Sequence, residues 1–230
     1  MSGVILDVWG KYALFTRPEL KIERVSYDVL TPSAARGILE AIYWKPRIEW
    51  IIQNIHVINR IQFQNIRRNE VSYKGEKSFK IEDQRIQRTS IVLKDVRYVI
   101  DAEFRLLSDE ELEEKAKRFK WNLNELSEEE RRGDKEPQKH LEIFRRRAKK
   151  GQFHKQPVLG CREFPAYFKL LKSEADIPPS FYANVEMQDL GWMLYDLNFE
   201  NPQKYTPRLF RAKMKNGVII TDPKIVEVKG

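Results

Sequence analysis

Hydrophobic and polar positions alternate through GVILDVWGKYALFT, residues 3–16, which predicts a half-buried strand, or two short ones bent at Gly10. The period then changes. In TPSAARGILEAIYWKP, Ala35, Ile38, Leu39 and Ile42 recur at helical spacing, Thr31 suits the N-cap and Pro32 the first helical position. Lys45–Pro46 is the expected stop, because a residue before proline is pushed out of the helical region. RIEWIIQNIHVINRIQF returns to strand character, with Ile51, Ile55, Val57 and Ile61 apolar among polar neighbours. Residues 65–85 are polar, basic and nearly free of core positions, as in an extended hairpin or a mobile loop. IVLKDVRYVIDAEFRLL, residues 91–107, alternates again.

Ser108 followed by Glu111 predicts a capping box that opens a second helix, with Leu112, Ala116, Phe119, Leu123 and Leu126 as its stripe. Pro137 predicts the start of a further helix carrying Leu141, Phe144 and Ala148 on one side. QPVLGCREFPAYFKLL reads as strand, SEADIPPS as a linker, and GWMLYDLNF as a strand. RLFRAKMKNGVIITDP reads as a hairpin turning at Asn216–Gly217. The predicted fold class is therefore α+β. Residues 1–172 form a ferredoxin-like, RRM-like βαββαβ domain with an extended hairpin and an inserted helix, and residues 181–230 a small antiparallel β domain.

Composition narrows the chemistry. The 230 residues carry a formal net charge of +8, concentrated in two places. Residues 45–97 hold 12 Lys and Arg against 6 Asp and Glu, and residues 131–155 hold 10 against 3. Concentrated positive charge suits a polyanionic partner, although simple solubility would also use it. One cysteine, Cys161, excludes an internal disulfide and fits a reducing cytoplasm. No apolar run approaches the roughly 18 residues of a membrane span, and the N-terminus lacks the features of a signal peptide.

The three histidines His56, His140 and His154 show no metal-ligand spacing, and neither GxxxxGK[ST] nor GxGxxG occurs, so no metal or cofactor is expected. Metal-free acid–base chemistry or plain binding remains. His140 is suited to proton transfer near neutral pH, and Lys139 beside it to stabilising a charged phosphorane. Adjacent helical residues diverge by about 100°, so a solvated surface helix with an idle His140 stands as the competing reading. His154 competes for the proton. Tyr43 and Trp44, beside Lys45 and Arg47, suit base stacking and phosphate contact, or the packing of a last aromatic turn into the core. Arg145, Arg146 and Arg147 read by default as the solvated face of a helix, and no more than two of them can follow one polyanion backbone.

The stretch DVWGKYALFTRPELKIERVSYDVLTPSAARGILEAIYWKP strongly resembles the N-terminal signature of the CRISPR-associated RAMP proteins of the Cas-five family, in the subtype I-C (Dvulg) branch. TSIVLKDVRYVIDAEF, VLGCREFPAYF and FRAKMKNGVI resemble its later blocks in the same order. The resemblance implies an endoribonuclease that cuts the repeat hairpins of precursor CRISPR RNA without metal. The 2′-hydroxyl attacks the adjacent phosphate, and the protein then remains with other subunits of the type I-C interference complex. It also implies a triad, which falls on Tyr43, Lys139 and His140. Tyr43 would assist deprotonation of the 2′-hydroxyl, a role that needs nearby cations because a tyrosine near pKa 10 is a poor base. Lys139 would stabilise the phosphorane and His140 would protonate the leaving oxygen. Lys45, Arg67, Arg68, Lys74, Lys77, Arg145 and Arg147 are the expected RNA contacts. Two other readings need no catalysis: a subunit that clamps processed RNA, and a duplex-DNA-binding protein.

Overall fold

The computed structural model describes residues 3–20, 24–71, 85–121, 136–199 and 205–230. The strands are β1 (Gly3–Ala13), β2 (Ile48–Val57), β3 (Phe63–Val71), β4 (Arg85–Leu106), β5 (Tyr167–Leu170), β6 (Gln188–Asn198), β7 (Thr206–Lys215), β8 (Val218–Ile220) and β9 (Val228–Lys229). Among the described residues there are three α-helices: α1 (Pro32–Ile42), α2 (Asp109–Phe119) and α3 (Pro137–Lys149). The strands form one sheet in the order β5-β1-β4-β2-β8-β7-β6, with β3 added to β4 and β9 to β7. Every ladder is antiparallel. The class is α+β, as the alternation of periods predicts.

The helix starts follow their punctuation. Thr31 accepts from the Ala34 N–H with Pro32 behind it, and Ser108 and Glu111 complete the capping box of α2. Pro137 opens α3. Each buries a stripe. Ala35, Ile38, Leu39 and Ile42 of α1, with Leu141, Phe144 and Ala148 of α3, pack in one core with Leu6 and Val8 of β1, Ile55 of β2 and Phe210 of β7. Helices α1 and α3 thus lie on one face of the sheet.

Strand β2 explains its own irregular pattern. Ile48, Trp50 and Ile52 are buried, then Ile55 and Val57, because the register shifts between Ile52 and Asn54. An extra residue at Gln53 reverses which parity faces inward. β4 pairs with β1 along one edge, and with β3 and then β2 along the other. Its first part and β3 are the arms of the expected basic hairpin. The tip, with Lys74 and Lys77, lies outside the described residues. At Asn216–Gly217 both φ angles are positive (50° and 82°), the geometry that joins β7 to β8 in a tight turn. β8 is bonded to β2, so the strands after residue 181 continue the sheet.

Two expectations shift. α1 ends at Ile42, three residues before Lys45: Tyr43 still donates its N–H to the Leu39 carbonyl but has an extended backbone, with φ −149° and ψ 116°. Within residues 156–171 only β5 is regular strand, joined by a single bridge between Val158 and Pro165. Gly160, at φ 88°, turns the chain sharply there, and Pro165 has no N–H for a ladder.

Candidate active site

Because the backbone is extended at Tyr43, successive side chains leave it on opposite sides. Tyr43 turns inward and is 3% exposed, while Trp44 turns outward and is 37% exposed. Trp44 does not enter the core; it meets the edge of Trp121 at 5.6 Å between centroids. The loop that follows is fixed by two cations that the sequence did not single out as its anchors. Buried Arg47 donates to the Leu107 carbonyl at 3.1 Å and pairs with Asp109. The Lys115 ammonium donates to the carbonyls of Pro46 at 3.2 Å and Ile48 at 3.4 Å, and burial pulls its pKa down.

Opposite Tyr43 stands α3. His140 is 6% exposed, so it is not the solvated surface residue of the competing reading. It lies about 100° round the helix from Leu141 and four residues before Phe144, so it shares the inward face. The Tyr43 hydroxyl and His140 Nδ1 are 2.8 Å apart, a hydrogen bond between residues 97 positions apart in sequence. Phe104 presents its ring to His140 at 6.5 Å, and Trp50 packs on Phe144 at 4.9 Å, so the pair sits in aromatic surroundings.

Arg147 lies seven residues, two turns, beyond His140 and on the same side. Its guanidinium sits 5.2 Å from the centre of the Tyr43 ring and donates to the Ile42 carbonyl at 3.1 Å. That spacing was visible in the sequence and would have joined Arg147 to the site. Lys139, by contrast, is exposed, so the adjacent Lys and His diverge as helical geometry requires. The side chain of Glu136 makes no capping bond to the first turn of α3. His154 reaches the same end of α1 by its backbone: its N–H and that of Lys155 both donate to the Ala41 carbonyl, at 2.8 and 3.0 Å, while the His154 ring is exposed.

The other expected RNA contacts are dispersed. Lys45 is half-buried in the loop after Tyr43. Arg145 points away from the pair and donates to the Gly3 carbonyl at 3.2 Å. Arg67 is exposed on β3, and its neighbour Arg68 pairs with Glu163 at 2.8 Å. Among the described residues, no group of three or more His, Cys, Asp or Glu side chains is placed to hold a metal ion. No helix among them is long and apolar enough to cross a membrane.

A family model described as CRISPR-associated protein (Cas_Cas5), in its Cas5d form, matches residues 3–222. The chain belongs to the Cas5 family, in its subtype I-C branch. It is 44% identical, over 98% of its length and 97% of the relative's, to a protein of Mannheimia succiniciproducens named CRISPR pre-crRNA endoribonuclease Cas5d. A Thermus thermophilus protein of the same name is 45% identical over 88% of this chain and 76% of that protein. Among solved structures, a CRISPR-associated protein superposes with a TM-score of 0.66 at 28% identity, covering 99% of this chain and 96% of its own. A functionally uncharacterized protein of Streptococcus mutans gives 0.65 at 25% identity, covering 99% and 97%.

Proposed function

We propose that this Cas5-family chain is a metal-independent endoribonuclease of the cytoplasm. It cuts the repeat hairpin of precursor CRISPR RNA and stays with the product in the type I-C interference complex. The observation that carries the reading is the 2.8 Å contact between the Tyr43 hydroxyl and His140 Nδ1, two groups able to move protons without a metal-bound water. The strand order β5-β1-β4-β2, with α1 between β1 and β2 and α3 between β4 and β5, supports a ferredoxin-like frame to which β3 is added. On this reading residues 1–172 carry the chemistry and residues 181–230 extend the sheet.

The proton balance closes on the pair. Tyr43 takes the 2′-hydroxyl proton as it passes its own to His140 Nδ1, and His140 gives its Nε2 proton to the leaving 5′-oxygen. The ribose oxygen bonds to phosphorus as the bond to the 5′-oxygen breaks, leaving a 2′,3′-cyclic phosphate and a 5′-hydroxyl. Tyr43 ends protonated and His140 ends as the other tautomer. Arg147 sets a positive charge against the Tyr43 ring while the phenol loses its proton. Lys139, on the first turn of α3, supplies charge to the phosphorane. Lys45, Arg67, Arg68, Lys74, Lys77, Arg145 and Arg147 remain the proposed set from which RNA-backbone contacts are drawn.

The test is a labelled repeat hairpin incubated with the protein in EDTA, followed by analysis of the ends. A single cut leaving a 2′,3′-cyclic phosphate, abolished by deoxyribose at the cut site with binding retained, supports the reading. The burial of both rings favours a second one, in which the pair is an internal strut of a subunit that only clamps RNA. Bound but intact RNA would select it.

A further inference from the structure

The sheet face turned away from α1 and α3 carries a separate aromatic and basic patch in the last strands. On β7 the burial alternates: Phe210, Ala212 and Met214 point into the core, and Arg211, Lys213 and Lys215 point out. Trp192 of β6 lies directly opposite Arg211 in the ladder, on the outward side, and is 45% exposed. Lys229 comes from β9, on the far edge of β7, yet its ammonium lies 5.4 Å from the centre of the Trp192 ring. The indole therefore lies across β7, between cations from two sides. Asp189 accepts from Arg211 at 2.6 Å, and Glu227 approaches Lys229 at 3.5 Å. Four cations against these two carboxylates leave a positive surplus around a partly exposed indole.

We propose that this patch binds a single-stranded segment of RNA. Its backbone would run along Lys213 and Lys215, with Arg211 held beside the ring by Asp189, and a base would stack on Trp192. Outward side chains on one strand repeat every two residues, about 7 Å, giving regularly placed charges for successive phosphates. An exposed indole offers a π-face that accepts any base. An acidic protein surface would need the cations but not an exposed indole among them, so RNA fits better. The inference rests on the proposed RNA function and adds a second contact on the side of the sheet opposite Tyr43 and His140, where RNA flanking the hairpin would be held.

The test compares binding of a repeat hairpin with and without a single-stranded extension, using His140→Ala protein so that cleavage does not interfere. The extension should tighten binding about tenfold in the protein with an intact patch. Trp192→Ala should erase that gain, and Trp192→Tyr, which keeps a π-face, should restore most of it. Lys213→Glu with Lys215→Glu should lower the salt slope for the extended RNA by about 1.4, and leave the bare hairpin unaffected. Equal binding of both RNAs by all variants would overturn the inference, as would variants that bind RNA normally but no longer join the other subunits. Because binding is read without cleavage, a protein that fails to cut leaves this outcome readable.

Discussion

Two arginines stack on aromatic rings at nearly equal distances, Arg147 at 5.2 Å from Tyr43 and Arg68 at 4.9 Å from Phe164, and they serve different ends. Arg147 reaches into the fold, over a ring that hydrogen-bonds a buried histidine and against the carbonyl of Ile42. Arg68 lies on the β3 arm of the basic hairpin and is already engaged by the Glu163 carboxylate at 2.8 Å. Ring distance does not assign a role; the other partner does. An arginine paired with a carboxylate is neutralised and serves a phosphate poorly. One whose described partners are a ring and a carbonyl keeps its charge for the site.

Variants at the two places should separate accordingly. The largest effect is expected for His140→Ala and Tyr43→Phe: single-turnover cleavage of the repeat hairpin should fall about 10²–10⁴-fold while hairpin affinity changes little. Retained cleavage in His140→Ala together with its loss in His154→Ala would hand the proton to His154. Arg147→Ala comes next. It removes both the ring contact and the carbonyl bond and should lower stability by about 2 kcal/mol in denaturant melts, along with slower cleavage. Unchanged melting would mean that Arg147 serves RNA alone and that the contrast with Arg68 is false.

At the hairpin the effects should be smaller and opposite in sign. Glu163→Gln should free Arg68, tighten RNA binding a few-fold and steepen its salt dependence by up to about one, with stability moving by less than about 1 kcal/mol. Weaker binding would show that Glu163 positions Arg68 rather than competing for it. The smallest change belongs to His56, outside both regions, where burial lowers the pKa against the opposing pull of Asp101 and Glu174. Its contribution is fully present above the ordinary imidazole value of about 6.5 and fades as pH falls toward the lowered folded value. His56→Asn should therefore flatten the acid side of the stability profile between pH 7.5 and 5, without altering cleavage at neutral pH. A parallel profile would remove His56 as its cause.

Much of the frame was legible because local chemistry set it. Thr31, Ser108 and Pro137 mark helix starts by satisfying or omitting backbone donors, and Asn216–Gly217 marks a turn by tolerating positive φ. What was not legible depends on contacts between distant segments. The bulge at Gln53 reverses the inward parity of β2, which no count of apolar residues predicts. The backbone at Tyr43 leaves the helix three residues early, and this decides that Tyr43 goes in while Trp44 stays out. The approach of Tyr43 to His140 follows from where α1 and α3 cross; Lys139 and His140 could be singled out by their chemistry, but their grouping with Tyr43 as a triad came only from family resemblance. The burial of Tyr43 and His140, and the exposure of Lys139, came from the structure.

The end of α1 is held to α3 and to the chain leaving it by Arg147 on Ile42, and by the His154 and Lys155 N–H groups on Ala41. Together with the Tyr43–His140 bond, these ties join the end of α1 to both the first turn and the later part of α3. The consequence is mechanical. If Tyr43 and His140 move protons as proposed, their spacing is set when the protein folds, and the entropy of assembling the pair has already been lost.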